Sequence, residues 1–316
     1  MTKTRKILTM KKTITIGTRK SLLALWQSNY IKSCLEKEYP DCEVRLQKIV
    51  TKGDKILDVP LSKIGGKGLF TKEIETALLD GEVDLAVHSL KDMPTKLPDG
   101  LCLTAITERA VVGDAFVSNK YNTFAEMPAG AVLGTSSLRR KAQLLAKRPD
   151  LDIRDLRGNV DTRLHKLDEG QYDAVILAAA GLTRLGYGDR IKETLPCDFC
   201  IPAVGQGALA IECRTDNTEV RAMLEFLNHP ATKSCTDAER AFLGLVEGGC
   251  QVPIGVHADV MENDRMHVTA IIASLDGSTL LRDEIDGDAA DAIALGQTLG
   301  KRMLDNGGKA ILDEIL

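Results

Sequence analysis

The segment Gly248-Gly249-Cys250-Gln251-Val252-Pro253 sets a thiol between two glycines and a proline. Those neighbours describe a tight exposed turn rather than a core position. A thiol held in the open serves as a nucleophile or as an attachment point. The nearest histidine downstream, His257, lies seven residues on. A protease-like triad is therefore not supported, and covalent tethering fits better.

Arginines form the second pattern. Arg139 and Arg140 follow Gly134-Thr135-Ser136-Ser137, after a strand-like run and at the start of a helical one. Arg157-Gly158-Asn159 repeats the arrangement ahead of Arg163, and Arg19 with Ser21 makes it a third time. A helix N-terminus offers free N–H groups and partial positive charge, and guanidiniums and hydroxyls add short charge-assisted bonds to anions. In open α/β sheets ligands bind beyond the carboxyl ends of the strands, so three such turns should line one anion-binding crevice. The simpler alternative is that these arginines are solvated or bridge to nearby Asp150, Asp155 and Asp161. Lys91-Asp92 follows the apolar run Val83–Val87 and precedes Pro94. It is a place for a catalytic carboxylate or, more plainly, a surface ion pair.

Two more segments could carry chemistry. Gly65-Gly66-Lys67-Gly68, with Lys55 and Lys63 nearby, reads as a basic lid or as an ordinary surface loop. It lacks the spacing of a P-loop, which removes a phosphate-dependent transferase. Cys197-Asp198-Phe199-Cys200 is a lone C-x-x-C without the further ligands zinc requires. Loop decoration is the expectation there, and no metal is expected anywhere in the chain.

The elements that must position these residues alternate. Strands are expected at Thr13–Gly17, Glu43–Val50, Val83–Val87, Asp114–Ser118, Ala131–Leu133, Ile153–Leu156 and Ala174–Leu177. Helices are expected at Ser21–Glu38, with Leu22, Leu25, Trp26, Ile31 and Leu35 near helical spacing, and at Thr71–Leu79, Leu138–Lys147 and Val160–Leu167. This β-α-β rhythm predicts parallel sheets covered on both faces. The last third differs: a helix at Thr236–Leu245, then runs at His257–Val260, Arg265–Ser274 and Thr279–Ile285 in close succession, then a helix over Ala289–Asn306. Such spacing predicts antiparallel pairing in an α+β domain.

Composition narrows the function. The chain has 316 residues, which points to two or three domains. Its net charge of -4 and 4% aromatic content argue against a nucleic-acid partner. No apolar run reaches membrane-spanning length, and Met1–Lys12 is basic without a signal-like apolar stretch, so a cytoplasmic address is expected. A non-catalytic anion receptor would need neither the Cys250 turn, nor the Lys91-Asp92 pair, nor a third domain.

Taken together, T-R-K-S at 18–21, G-G-K-G-L-F at 65–70, H-S-L-K-D-M-P at 88–94, T-S-S-L-R-R at 135–140, L-R-G-N-V-D-T-R-L at 156–164, A-A-A-G-L-T-R-L at 178–185, P-A-V-G-Q-G-A at 202–208 and G-G-C-Q-V-P-I-G at 248–255 resemble the porphobilinogen deaminase family. The resemblance runs from about Thr13 to the C-terminus. It implies an α/β protein of two lobes like those of type II periplasmic binding proteins, with mixed, mostly parallel sheets, plus a C-terminal α+β domain. The implied boundaries are 13–107 with 205–225, 112–200, and 228–316. The family condenses porphobilinogen head to tail, with loss of ammonia, on a covalent dipyrromethane cofactor, and hydrolysis releases linear hydroxymethylbilane.

By this resemblance Cys250 carries the cofactor through a thioether, and Asp92 holds the pyrrole N–H groups and stabilises the cationic intermediate. Lys91, Arg19, Arg139, Arg140, Arg157, Arg163 and Arg184 meet substrate and cofactor carboxylates. Ser21, Ser89, Thr135, Ser136, Ser137 and Gln206 add neutral donors, and Lys63 and Lys67 sit on the lid. A six-ring intermediate bears about twelve negative charges, which could not be desolvated without partners. A monomer is implied. The sequence departs from the family in three places. Ala110–Gly113 replaces an acidic-Pro-Arg stretch before Asp114, so a charge cluster near the hinge is missing. Leu22 stands where proline is common, and Cys197–Cys200 is no family feature.

Overall fold

The computed structural model describes residues 11–55, 68–246 and 252–315. Lys63, Lys67 and Cys250, and with them the lid and the cysteine turn, lie outside the described residues.

Two five-stranded sheets share one plan. The first contains β1 (Thr13–Thr18), β2 (Glu43–Lys48), β3 (Leu85–Ser89), β4 (Leu101–Ile106) and β10 (Leu209–Arg214), in the order β2-β1-β3-β10-β4. The second contains β5 (Asp114–Ser118), β6 (Val132–Gly134), β7 (Asp152–Arg154), β8 (Ala174–Ala178) and β9 (Glu193–Leu195), in the order β7-β6-β8-β5-β9. In each, one strand runs against the other four: β10 pairs antiparallel with β3 and β4, and β5 with β8 and β9. Both odd strands adjoin a passage of chain between the sheets, β5 just after the outward one and β10 just after the return. The expected mixed, mostly parallel sheets are therefore present.

Helix α1 (Leu22–Glu38) covers the first sheet, burying Gln27, Ser28, Ile31 and Leu35. The expected apolar face holds only for its second half. Leu22 and Trp26 are exposed, because the stripe they form with Tyr30 is rotated away from the sheet. Helix α2 (Lys72–Leu79) packs Ile74, Ala77 and Leu78 on the opposite face, against Val83 and Ala86. The second sheet is flanked by α3 (Leu138–Lys147), α4 (Val160–Asp168) and the short α5 (Ala179–Arg184).

After α6 (Thr218–Leu224), the C-terminal part is a three-stranded antiparallel sheet of β11 (Ile254–Val260), β12 (Arg265–Ala273) and β13 (Leu280–Asp288). One face packs on α7 (Pro230–Leu245) and α8 (Ala292–Met303) through Phe242, Val256, Val268, Ala270 and Leu299. Helix α7 starts six residues before the sequence-based Thr236, because Pro230 occupies its first turn and the His229 ring accepts the Thr232 N–H at 3.2 Å. The turn between β12 and β13 approaches α3 so closely that a Cβ on Gly277 would lie 2.3 Å from the Ala142 carbonyl oxygen.

Candidate active site

All three expected turns sit at carboxyl ends of parallel strands, and each opens a helix with a side-chain cap. Ser21 accepts the Ala24 N–H after β1, Ser137 the Arg140 N–H after β6, and Asn159 the Thr162 N–H after β7. Gly158, at φ 118°, makes the third turn possible, since a Cβ there would lie 2.6 Å from the Thr162 side chain.

On the first sheet, Arg19, Ser21, Ser89 and Asp92 line one cavity with Gln27, Phe70, Thr71 and His88. Arg19 pairs with Asp54 at 2.5 Å and lies over the Phe70 ring, 4.2 Å from its centre. Ser89 ends β3 and its hydroxyl accepts from the Gln27 amide at 2.8 Å. Strand β3 lies two residues later than expected, at Leu85–Ser89, so Ser89 belongs to the sheet and Lys91 and Asp92 fall in the single 3-10 turn after it. Asp92 is exposed. Lys91 is half-buried, and its ammonium makes no hydrogen bond among the described residues. Burial pushes it down to about 8, Arg140 and Arg139 push the same way, and Asp92 and Asp114 oppose them.

On the second sheet the arginines separate into two kinds. Arg139 and Arg140 are buried and bind one carboxylate, Asp114, the first residue of β5: Arg140 reaches Oδ1 at 2.6 Å and Arg139 reaches Oδ2 at 2.8 Å. Their partner is thus neither Asp150, Asp155 nor Asp161. Asp150 pairs with Arg148, and Asp161 accepts from the Tyr187 hydroxyl. Burial would raise the Asp114 carboxyl, but the two guanidiniums hold it far below the usual carboxylate range. Arg163 is the other kind. Its Nε donates to the Gly158 carbonyl at 2.8 Å, and it meets no carboxylate at ion-pair distance among the described residues. Burial pulls it down to about 10, the charges of Arg140 and Arg157 add to the fall, and Asp92 is near enough to oppose it. Arg184, at the end of α5, donates to the Gly207 carbonyl at 2.7 Å and lies 5.8 Å from the centre of the Trp26 ring, which itself stacks on Tyr30.

Several neutral donors are already committed. The Ser136 hydroxyl donates to the Leu156 carbonyl at 3.0 Å and accepts the Leu156 N–H at 2.9 Å, tying two strand-end turns together. Thr135 is buried and its hydroxyl accepts the Ser137 N–H. The Gln206 amide gives its hydrogens to the Val112 carbonyl and to Asp114, at 2.7 and 2.8 Å, which leaves an acceptor oxygen facing inward. Cys200 is a core thiol rather than loop decoration: it contacts Asp114 at 3.6 Å, and burial pushes it up to about 12.

Sequence reasoning missed a second buried charge cluster. Glu239 of α7 is fully buried and takes both nitrogens of Arg109 at 2.7 and 3.1 Å, the Gly205 N–H at 2.7 Å and the Ala258 N–H at 3.0 Å. His257 lies beside it and binds Asp259 at 2.8 Å. Arg109 stands on the outward passage, Gly205 on the return and Glu239 in the C-terminal part, so one carboxylate joins all three. Gly113, in the departure from the family pattern, is a close-packing position: a Cβ would lie 2.7 Å from the Thr194 side chain.

Among the described residues no group of His, Cys, Asp and Glu could hold a metal, and no helix is long and apolar enough to cross a membrane. Residues 14–222 match the family model described as porphobilinogen deaminase, dipyromethane cofactor binding domain, and residues 233–305 match the porphobilinogen deaminase C-terminal domain. The chain is 56% identical over 304 residues to the porphobilinogen deaminase of Geotalea uraniireducens, covering 96% of this chain and 95% of that one. It is 56% identical over 300 residues to that of Geobacter sulfurreducens, covering 95% and 94%. Among solved structures, a periplasmic substrate-binding protein of an ABC transporter from Coxiella burnetii aligns over 70% of this chain and 94% of that one, with 15% identity and a TM-score of 0.43. With two family models spanning most of its length and relatives matched almost end to end, the chain belongs to the porphobilinogen deaminase family.

Proposed function

We propose that the chain is a monomeric, cytoplasmic hydroxymethylbilane synthase that deaminates four porphobilinogen molecules, joins them head to tail on a primer tethered to Cys250, and releases the linear tetrapyrrole by hydrolysis. Residues 13–107 with 205–225 form one lobe of this reading, 112–200 the other, and 228–316 the domain that carries Cys250. The observation that carries it is the pair of half-buried cations Lys91 and Arg163, neither of which meets a carboxylate at ion-pair distance among the described residues, beside Arg140 and near Asp92. Half-buried cations whose charge is disfavoured by burial first and by neighbouring guanidiniums second gain most from an acidic ligand.

The residues present fit dipyrromethane, whose acetate and propionate arms call for such cations. Arg140, Arg157, Arg163, Lys91 and the capped turn at Ser137 would hold it. When bound, that group supplies the primer to which new rings are joined. The chain's own residues bind and orient. Arg19, Ser21 and Ser89 take the side arms of incoming porphobilinogen in the cavity they line. Asp92, exposed beside them, accepts its pyrrole N–H and sets a fixed negative charge against the positive charge that develops as ammonia leaves. Lys91 orients a ligand carboxylate. Arg139, Gln206 and Ser136 act on the ligand through the residues they fix.

Intact-mass measurement of the purified protein tests the reading. We expect added mass equal to two linked pyrroles, absent from Cys250→Ala, which also fails to turn over. An unmodified protein with full activity on porphobilinogen overturns the tether.

A further inference from the structure

Asp114 is wholly buried, yet it is ionised and accepts from donors on two other stretches of the chain. Oδ1 takes Arg140 at 2.6 Å and the Gln206 amide at 2.8 Å, and Oδ2 takes Arg139 at 2.8 Å, with the Cys200 thiol at 3.6 Å. Arg139 and Arg140 belong to α3, Gln206 to the return passage, and Asp114 itself opens the strand after the outward passage. Each guanidinium is then fixed at a second point: Arg139 on the Ile201 carbonyl at 2.6 Å and Arg140 on the Ile176 carbonyl at 3.1 Å. Arg140 keeps a buried Nε–H without a partner. One carboxylate against two guanidiniums leaves one positive charge in excess at this point.

We propose that Asp114 is a positioning residue of the anion-binding cleft. It locks the planes of Arg139 and Arg140, and the segment bearing Gln206, into one orientation, so that the cationic wall stands ready before an acidic ligand arrives. Long arginine side chains lose conformational freedom when they order around a ligand, and a wall ordered beforehand spares that loss on binding. The surplus charge is what the ligand meets, because Asp114 cancels one of the pair and holds the other in place. The inference rests on the reading that these arginines serve an anion-binding cleft, and it adds a residue that touches no ligand itself.

The groups facing this cluster set how it responds to pH. Lys91 is influenced by Asp92, Arg140, Asp114 and Arg139, and Arg163 by Arg140, Arg157 and Asp92. Loss of the Asp114 charge removes support for protonated Lys91.

The test compares Arg139→Met, the charge-balanced double variant Asp114→Asn/Arg139→Met, and Arg140→Met. KM and kcat for porphobilinogen are measured on the purified full chain from neutral to alkaline pH. Relative to Arg139→Met, the double variant should raise KM about tenfold with kcat changed less than about twofold, and its alkaline loss of activity should begin at lower pH. A merely structural role for Asp114 would lower the melting temperature and leave KM at the value of Arg139→Met. An identical KM in the two variants overturns the proposal, whatever the alkaline limb does. An unchanged KM in Arg140→Met instead overturns the cleft reading on which it rests. Should the double variant not fold, Gln206→Met removes one donor from Asp114 and keeps both ion pairs. It must raise KM by a smaller factor, and an unchanged KM there overturns the proposal equally.

Discussion

Two sets of buried or half-buried charges in this molecule are built on opposite principles. Around Glu239, Arg109 is met by both oxygens of a fully buried carboxylate, which two backbone N–H groups also serve. Around Arg163 and Lys91, burial disfavours each positive charge, neighbouring guanidiniums add to the effect, and Asp92 is the main opposing charge. Removing one partner from a closed pair strands a charge in low dielectric. Removing one member of a like-charged group relieves repulsion instead. The closed cluster therefore joins the parts of the chain, and the open one, on the function proposed above, is left for a ligand that brings negative charge.

Breaking the closed cluster should produce the largest change. Glu239→Gln leaves the Arg109 guanidinium buried and half-paired and should cost about 3–5 kcal/mol, a fall in melting temperature of roughly ten degrees for a chain of this size. A variant that melts with the wild type would mean the cluster is not the joint it resembles.

The open cluster should respond in the opposite sense. Arg163→Met should leave the melting temperature unchanged or raise it, because the side chain is half-buried without a carboxylate and its charge is already disfavoured. The same variant should raise KM for porphobilinogen several-fold. Loss of stability with unchanged KM would erase the distinction between the two regions.

The smallest effect concerns pH. Lys91 stands near 8 rather than 10.5, so its charge is lost as pH rises through about 8, and KM should climb from there. Lys91→Arg keeps its charge and should carry that rise to higher pH. For stability the sign is reversed: between about 8 and 10.5 the folded chain binds fewer protons than the unfolded one, so this group adds stability as pH increases across that window. Titration of KM and of the urea midpoint over the same range checks both.

Local signals carried much of this into the sequence. Ser21, Ser137 and Asn159 are caps because each stands immediately before a helix-forming run whose first free N–H groups lie within three residues. The hairpin strands of the C-terminal sheet announce themselves by alternation and by Asp276-Gly277. Partners distant in the chain were not legible. Asp114 lies 25 residues from Arg139, and Arg109 lies 130 from Glu239. Nothing near either arginine marks its acid, so proximity favoured the wrong aspartates. Strands β4, β9 and β10 escaped the reading for a related reason. Leu209–Arg214 becomes a strand by inserting, antiparallel, between β3 and β4, whose residues lie about a hundred positions earlier.

Trp26 is the chain's only tryptophan, and it stands partly in water beneath the Arg184 guanidinium, which hangs from Gly207 where the backbone re-enters the first sheet. Indole emission reddens when solvent replaces a covering group. Ultraviolet excitation of the native polypeptide therefore reads the spacing between α1 and the end of α5 without a label.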